Sequence, residues 1–298
     1  MPDSNIQNIQ QPWPRISLVT PVYNSAKYIE QTIRSVLAQN YPNLEYFIID
    51  GGSTDGSVEI IRKYESQFSG WVSEPDSGMY DAINKGFART SGELMGWISA
   101  TDQLHTGALA VVGSVFGHLP QVDWITARPT GFNEEGMTVL VLELPRWSRY
   151  RFLAGANRYI QQESTFWRRS LWEKAGARLD SSQRVVGDFE LWLRFFRHAQ
   201  LHTVDALIGG YRAHPGQLGF QDTDANDRIC DEYIEAELKG IPWEKSLRLF
   251  RGASRAIGRI PKVRGLWQRL VMGSLYRLPG PDWPPVIRRQ GDRWEILR

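Results

Sequence analysis

Two rhythms of apolar and polar residues alternate along the first hundred positions. Residues 15–20, Arg-Ile-Ser-Leu-Val-Thr, are β-branched and apolar and stop at Pro21, which predicts a buried strand closed by a turn. From Ser25 to Asn40 the apolar residues Tyr28, Ile29, Ile33, Val36 and Leu37 recur at helical spacing, with Ser25 placed to cap the helix. Leu44 to Asp50 reads as a second strand, Gly51 to Gly56 as a turn and Ser57 to Glu65 as a second helix. Trp71–Ser73, Asp81–Arg89 and Leu94–Ile98 continue as strand, helix and strand. This alternation predicts an α/β fold on a mostly parallel sheet.

Beyond residue 120 the pattern loosens. Strands are expected at Asp123–Ala127 and Met137–Leu142, a short helix at Ser170–Gly176 and an amphipathic helix at Asp188–His198. Leu201 to Tyr211 reads as one further strand. Past residue 225 the spacing is helical, with Gly240-Ile241-Pro242 as a break.

Composition narrows the class. The chain of 298 residues is 42% hydrophobic and 23% charged, ordinary for a globular protein. Its single cysteine, Cys230, rules out an internal disulfide framework and fits a reducing cytoplasm. Met1 to Gln11 lacks the apolar core of a signal peptide, and no apolar run suits a transmembrane helix. Charge is unevenly spread. Residues 241–298 hold 13 Lys and Arg against 4 Asp and Glu, a net of +9, leaving −7 on the rest. Leu247, Leu249, Phe250, Ala253 and Ile257 interleave there with Arg248, Arg251, Arg255 and Arg259, and Trp243, Trp267, Trp283 and Trp294 are scattered through the segment. Such a basic helix with aromatic anchors suits an anionic membrane face; packing on the main domain is the alternative reading. No nucleic-acid module is recognisable.

In an open parallel sheet, ligands bind beyond the carboxyl ends of the strands. The first strand delivers Thr20-Pro21-Val22-Tyr23-Asn24 to that rim, the second Asp50 and a Gly-rich turn, and the fourth Asp102. Any one of them has a bland reading; Asp50 alone would serve as a helix cap. Structural zinc spacing, a phosphate-loop lysine and a GxGxxG helix opening are all missing.

Together with Ile49-Asp50-Gly51-Gly52-Ser53-Thr54-Asp55-Gly56-Ser57 and the run Ser73 to Gly86, the first-strand motif resembles family 2 glycosyltransferases, the inverting group with the GT-A fold. The run Ser73 to Gly86 is similar to transferases that build bacterial polysaccharides. The resemblance implies a Rossmann-like, mostly parallel central sheet flanked by helices, with a C-terminal helical basic extension. It divides the chain into an extended or disordered N-terminus (1–14), a GT-A domain (15–225) and the extension (226–298). Within the domain, the nucleotide-binding half covers about 15–105 and the acceptor half about 106–225.

The resemblance also assigns roles. Pro21, Tyr23 and Asp50 match positions that hold the nucleoside, and Asp81 and Lys85 lie on the helix facing the donor. Thr101 and Asp102 close the acidic motif of the family. Here it reads Ser99-Ala100-Thr101-Asp102, so only its last acid remains. Asp102 is the expected ligand of Mn²⁺ or Mg²⁺, with His214 as a second. Asp188, in Gly187-Asp188-Phe189-Glu190, is the expected general base, with Glu190 behind it, and Gln162 and Glu163 are expected on the acceptor side. The implied activity is a metal-dependent hexosyltransferase moving a sugar from a nucleotide-sugar, with a lean to UDP, onto a saccharide or lipid-linked saccharide. The expected location is the cytoplasm or the inner face of the cell membrane. The alternative is a degenerate, catalytically impaired subunit that binds a nucleotide-sugar or glycan.

Overall fold

The computed structural model describes residues 13–155, 159–214, 223–258 and 285–297. The first half runs β1 (Ile16–Val22), α1 (Ile29–Leu37), β2 (Leu44–Asp50), α2 (Ser57–Lys63), β3 (Gly70–Ser73), α3 (Met79–Phe87), β4 (Leu94–Trp97), β5 (Gln103–Leu104), α4 (Ala108–His118) and β6 (Trp124–Ala127). The second half runs β7 (Thr130–Phe132), β8 (Thr138–Val141), α5 (Arg149–Leu153), β9 (Phe166–Arg168), α6 (Arg169–Lys174), α7 (Gly187–Phe196), β10 (Leu201–Val204), β11 (Gly209–Arg212), α8 (Thr223–Leu238), α9 (Glu244–Gly258), β12 (Val286–Gln290) and β13 (Arg293–Leu297).

Nine strands form one sheet in the order β13-β12-β10-β6-β9-β4-β1-β2-β3. β1 pairs in parallel with β2 and β4, β2 with β3, β6 with β10 and β10 with β12. β9 is inserted antiparallel between β4 and β6, and β13 folds back on β12. Every residue of β1, β4 and β6 is buried, as expected of parallel strands covered on both faces. One cover holds Ile29, Ile33 and Val36 of α1, Ile61 of α2 and Val112 and Phe116 of α4. The other holds Ile83 and Phe87 of α3, Trp172 of α6, Ile234 of α8 and Leu247 of α9, with α7 at its centre.

The reversal of β9 has a consequence for the site. Residues just before its start lie at the same rim as residues just after the ends of the parallel strands β4 and β6.

Two expectations change, and one helix is added. The apolar stretch 201–211 is two strands, because at Asp205 the chain leaves the large sheet. The Ala206 N–H closes a tight turn on the Val204 carbonyl (2.9 Å), and β11 joins a second sheet ordered β5-β11-β7-β8. α4 lies in a stretch with no helical stripe, since it is buried on most sides. Residues 286–297 are a hairpin rather than helix, joined through Gly291 at φ 59° and completing the large sheet. Helices cover 223–238 and 244–258 of the basic segment. Arg251 there is buried, donating to the Leu153 carbonyl (3.1 Å) and pairing with Asp231 (2.6 Å), and Arg248 pairs with Glu235 and Glu244. Leu247 is fully buried, Leu249 is exposed, and Trp294 docks its indole N–H on Ser114 (3.1 Å). Trp267, Trp283 and Arg259 lie outside the described residues. No helix among the described residues is long and apolar enough to cross a membrane.

Candidate active site

The site grows from the rim where β1, β2 and β4 end together. Register places Val22 opposite Asp50 and Asp50 opposite Ser73. Asp50 is fully buried, and its carboxylate organises the Gly-rich turn. One oxygen accepts the Gly52 and Ser53 N–H groups (3.1 and 3.0 Å) and the Ser73 hydroxyl (2.7 Å); the other accepts the Ser53 hydroxyl. A Cβ on Gly51 would lie 2.6 Å from the Asp76 carboxylate, which would have to swing aside. Pro21 is buried in β1, while Tyr23 stands 66% exposed at the mouth, free to lie against a flat ring. Along α3, Lys85 bridges Glu74 (3.3 Å) and Asp81 (3.4 Å), and Asp81 accepts the Ser77 N–H (3.0 Å). Partial desolvation of Lys85 is outweighed by these carboxylates, which hold its ammonium above the usual range.

Asp102, 2% exposed, sits just past β4. Its Oδ1 accepts the Arg212 N–H (2.9 Å), and its carbonyl accepts the Thr32 hydroxyl (2.7 Å). The fully buried Arg212 guanidinium donates to the carbonyls of Thr101 and Glu134 (both 2.6 Å), which fixes the rim against β11. Burial drives the Asp102 carboxyl upward, against the pull of the Arg212 N–H and charge. His214 follows two residues after Arg212 and packs on the Tyr28 ring at 4.9 Å between centroids. It stands on the α1 side of the rim. Among the described residues, no three His, Cys, Asp or Glu side chains stand close enough to form a metal cage.

Asp188 opens α7 and is half-buried. Its Oδ1 accepts its neighbour's N–H, from Phe189 (2.9 Å), and lies 3.2 Å from the Tyr80 hydroxyl, whose single proton is shared with the Val185 carbonyl (2.8 Å). No hydrogen bond to Oδ2 is formed among the described residues. Gly187 makes the approach of Tyr80 possible, because a Cβ there would meet the tyrosine ring at 2.7 Å. Burial raises the Asp188 carboxyl to about 6, although the Phe189 N–H and Tyr80 hydroxyl oppose the shift. Glu190, by contrast, is spent on a bidentate pair with Arg194 (2.7 Å for each bond).

Gln162 and Glu163 lie on a short 3₁₀ turn just before β9, packed on β4, β6 and β11. The Gln162 amide reaches the Ser99 hydroxyl (3.3 Å), tying this turn to the end of β4. Glu163 is 2% exposed. Burial raises its carboxyl well above the usual range, and the negative charges of Asp102 and Asp188 add to the effect. The structure thus brings Asp102, Glu163 and Asp188 into one electrostatic neighbourhood. Tyr80 and Arg212 were not singled out from sequence. Tyr80 lies beside Asp81 in the run Ser73 to Gly86, and Arg212 gives itself away only as an arginine at the end of an apolar strand.

A sheet reversed, among the described residues, only at β9 and its terminal hairpin, with carboxylates gathered beyond its parallel ends, has the GT-A architecture found in glycosyltransferases. The profile of glycosyl transferase family 2 matches residues 17–173, and the chain belongs to that family. An uncharacterised glycosyltransferase of Mycobacterium tuberculosis is 40% identical over 91 residues, 30% of this chain and 35% of the relative. A Bacillus subtilis glycosyltransferase, TuaG, provisionally named for teichuronic acid biosynthesis, is 37% identical over 93 residues, 30% of this chain and 37% of the relative. The chain therefore matches only about a third of the length of these curated relatives. Residues 1–349 of TarS from S. aureus, solved in complex with UDP-GlcNAc, superpose with a TM-score of 0.65 at 17% identity, covering 88% of this chain and 80% of that one.

Proposed function

We propose that this protein transfers a hexose, with inversion, from a UDP-sugar to a saccharide or lipid-linked saccharide in surface polysaccharide or glycolipid synthesis. The observation that carries the reading is Asp188: one oxygen is held at a helix start, the other accepts no hydrogen bond among the described residues, and the same neighbourhood contains Asp102. A carboxylate in that state suits general-base catalysis. Asp188 would take the proton of the acceptor hydroxyl as that oxygen attacks the anomeric carbon. The bond from the anomeric carbon to the diphosphate oxygen breaks on the opposite face, and the proton stays on Asp188. Tyr80 and the Phe189 N–H orient the base. Pro21, Tyr23 and Asp50 would cradle the nucleoside, with Thr101, Asp81 and Lys85 towards the donor.

A leaving diphosphate needs its charge neutralised. The donor set suits a hard cation completed by substrate rather than a preformed cage: one buried carboxylate, Asp102, at a rim with hydroxyls and carbonyls. Mn²⁺ or Mg²⁺ is commonly held by one or two carboxylates plus phosphate oxygens. Asp102 would be the protein ligand and His214 a second candidate, the ion lending Lewis-acid stabilisation to the departing diphosphate.

The test is thermal shift with UDP, with and without Mn²⁺, paired with turnover measured as UDP release. Asp188→Asn should keep the nucleotide-induced shift and lose roughly a hundredfold or more in turnover; near-normal turnover rejects the base. Asp102→Ala should lose the Mn²⁺-dependent part of the shift, and a full shift in that variant rejects the metal role.

A further inference from the structure

Two neighbouring side chains at the rim carry buried oxygen atoms that accept no hydrogen bond among the described residues. Gln162 Oε1 and Glu163 Oε1 both lack a hydrogen-bond partner among the described residues. Leaving a buried acceptor unpaired costs about 1–3 kcal/mol, so two on consecutive residues call for an explanation. Loose packing does not provide one. The Gln161 side chain clamps this turn to β7, accepting the Thr130 N–H (3.0 Å) and donating to the Thr130 carbonyl (2.6 Å). The Ser164 hydroxyl donates to the Gly209 carbonyl (2.8 Å), and a Cβ on Gly209 would run into the Glu163 carbonyl. The backbone that presents the pair is fixed on both sides.

A second buried glutamate shows what a structural role looks like in this fold. Glu45, at the opposite edge of the sheet, accepts the Ser17 hydroxyl (2.7 Å) and the Ser91 and Gly92 N–H groups (2.7 and 3.1 Å) on one oxygen, and the Ser91 hydroxyl (3.3 Å) on the other. Burial pushes its carboxyl up, but these bonds bring it below the usual range. On Glu163 its own N–H and the Gln161 side chain pull the carboxyl down too weakly to offset burial, and Oε1 stays without a hydrogen bond among the described residues.

Position supplies the rest. The reversal of β9 sets residues 162–163 at the rim beyond β4 and β6, and the charges that act on Glu163 are those of Asp102 and Asp188. In the reading proposed above, Asp102 faces the diphosphate and Asp188 the attacking hydroxyl. What lies between those two is the sugar in transit. We infer that Gln162 and Glu163 form the subsite that reads the hydroxyl groups of the transferred sugar, making them specificity-determining residues for the donor rather than acceptor contacts.

This inference rests on the nucleotide-sugar reading, and the experiment separates the two. The full-length protein is titrated with UDP and with UDP-glucose, UDP-galactose and UDP-GlcNAc in the presence of Mn²⁺, as wild type, Glu163→Gln and Gln162→Ala. Wild type should prefer one UDP-sugar over the others. Both variants should bind UDP within about twofold of wild type, while their affinity for the preferred UDP-sugar falls roughly five- to tenfold, the loss of one well-made hydrogen bond. The preference among sugars should shrink by the same factor. Equal losses for UDP and UDP-sugar would assign the pair a structural role and overturn the inference. So would unchanged donor affinities, with only the acceptor KM raised, or a wild type that binds all three UDP-sugars alike. A wild type that binds neither UDP nor any UDP-sugar would overturn the nucleotide reading itself, and the subsite with it.

Discussion

Asp188 illustrates how one residue joins chemistry to stability. Its carboxyl titrates near 4 in an unfolded chain and at about 6 in the folded protein. Below the lower value both states are protonated, and burial of a neutral acid costs little. As pH rises through about 6, the folded protein must bury a charge, so stability contributed by the neutral form is lost. Above pH 6 the penalty is fully present. Asp188→Asn should therefore be more stable than wild type by roughly 1–3 kcal/mol at pH 8, with the difference shrinking towards pH 5. Melting curves across that range test it; a gap that does not change with pH would be wrong for this mechanism. In wild type, kcat/KM should fall about tenfold per pH unit below 6 and level off above it, because only the ionised form accepts a proton. The position of this carboxylate was legible in the sequence: a Gly-Asp pair before an amphipathic helix marks a carboxylate at a helix start. Tyr80 was not, because its role depends on a contact 108 positions away in the chain.

At the scale of elements, α7 is the part that aims Asp188, the proposed base. Trp192, four residues and about one turn beyond Asp188, is fully buried and stacks between Trp97 of β4 (5.7 Å, 9° between planes) and Trp124 of β6 (5.6 Å, 29°). Trp167 of β9 meets both Trp97 and Trp192 edge-on at 71°. Offset and edge-to-face packing of this kind adds to area burial and fixes orientation. Trp192→Ala should cost about 3–5 kcal/mol and lower turnover more than UDP affinity, since the proposed nucleotide pocket lies at the other end of the rim. Equal effects on both would mean that α7 does not act as a separate positioning element. Sequence reading succeeds for β1 to α3, where β-branched runs end at Pro21 or at the glycines after Asp50. It passes over α4 because Ala108, Leu109, Val112, Val115 and Phe116 leave hardly any polar face to define a stripe. It joins β10 to β11 because nothing apolar or polar marks Asp205 as a place where the chain changes sheets.

Across the whole molecule, the basic segment is woven into the fold more than its charge suggests. α8 carries the acids that answer α9, with Asp231 and Glu235 taking Arg251 and Arg248. Arg251 is buried by its pairing, while Arg248 stays partly exposed but paired. Any attraction of this segment to an anionic surface has to come mainly from its other cations. The hairpin β12–β13 went unread because Arg288, Arg289 and Gln290 interrupt its apolar pattern, and the only turn signal is Gly291-Asp292. Trp294 is its anchor. Trp294→Ala should lower the melting temperature by the equivalent of about 3 kcal/mol and leave UDP affinity unchanged. An unaltered melting temperature would show that the hairpin is not part of the cooperative unit.

That hairpin also bears on the order in which the protein can be made. β10 pairs with β6 on one side and waits for β12 on the other, yet more than eighty positions separate the end of β10 from the start of β12. On a ribosome, the catalytic rim and all its carboxylates emerge while one border of the sheet still shows bare peptide groups. Such a border is a template for pairing with another chain. A nascent chain stalled or cut before residue 286 would carry a complete site and an unfinished sheet, so its fate should be governed by association rather than by any defect in its chemistry.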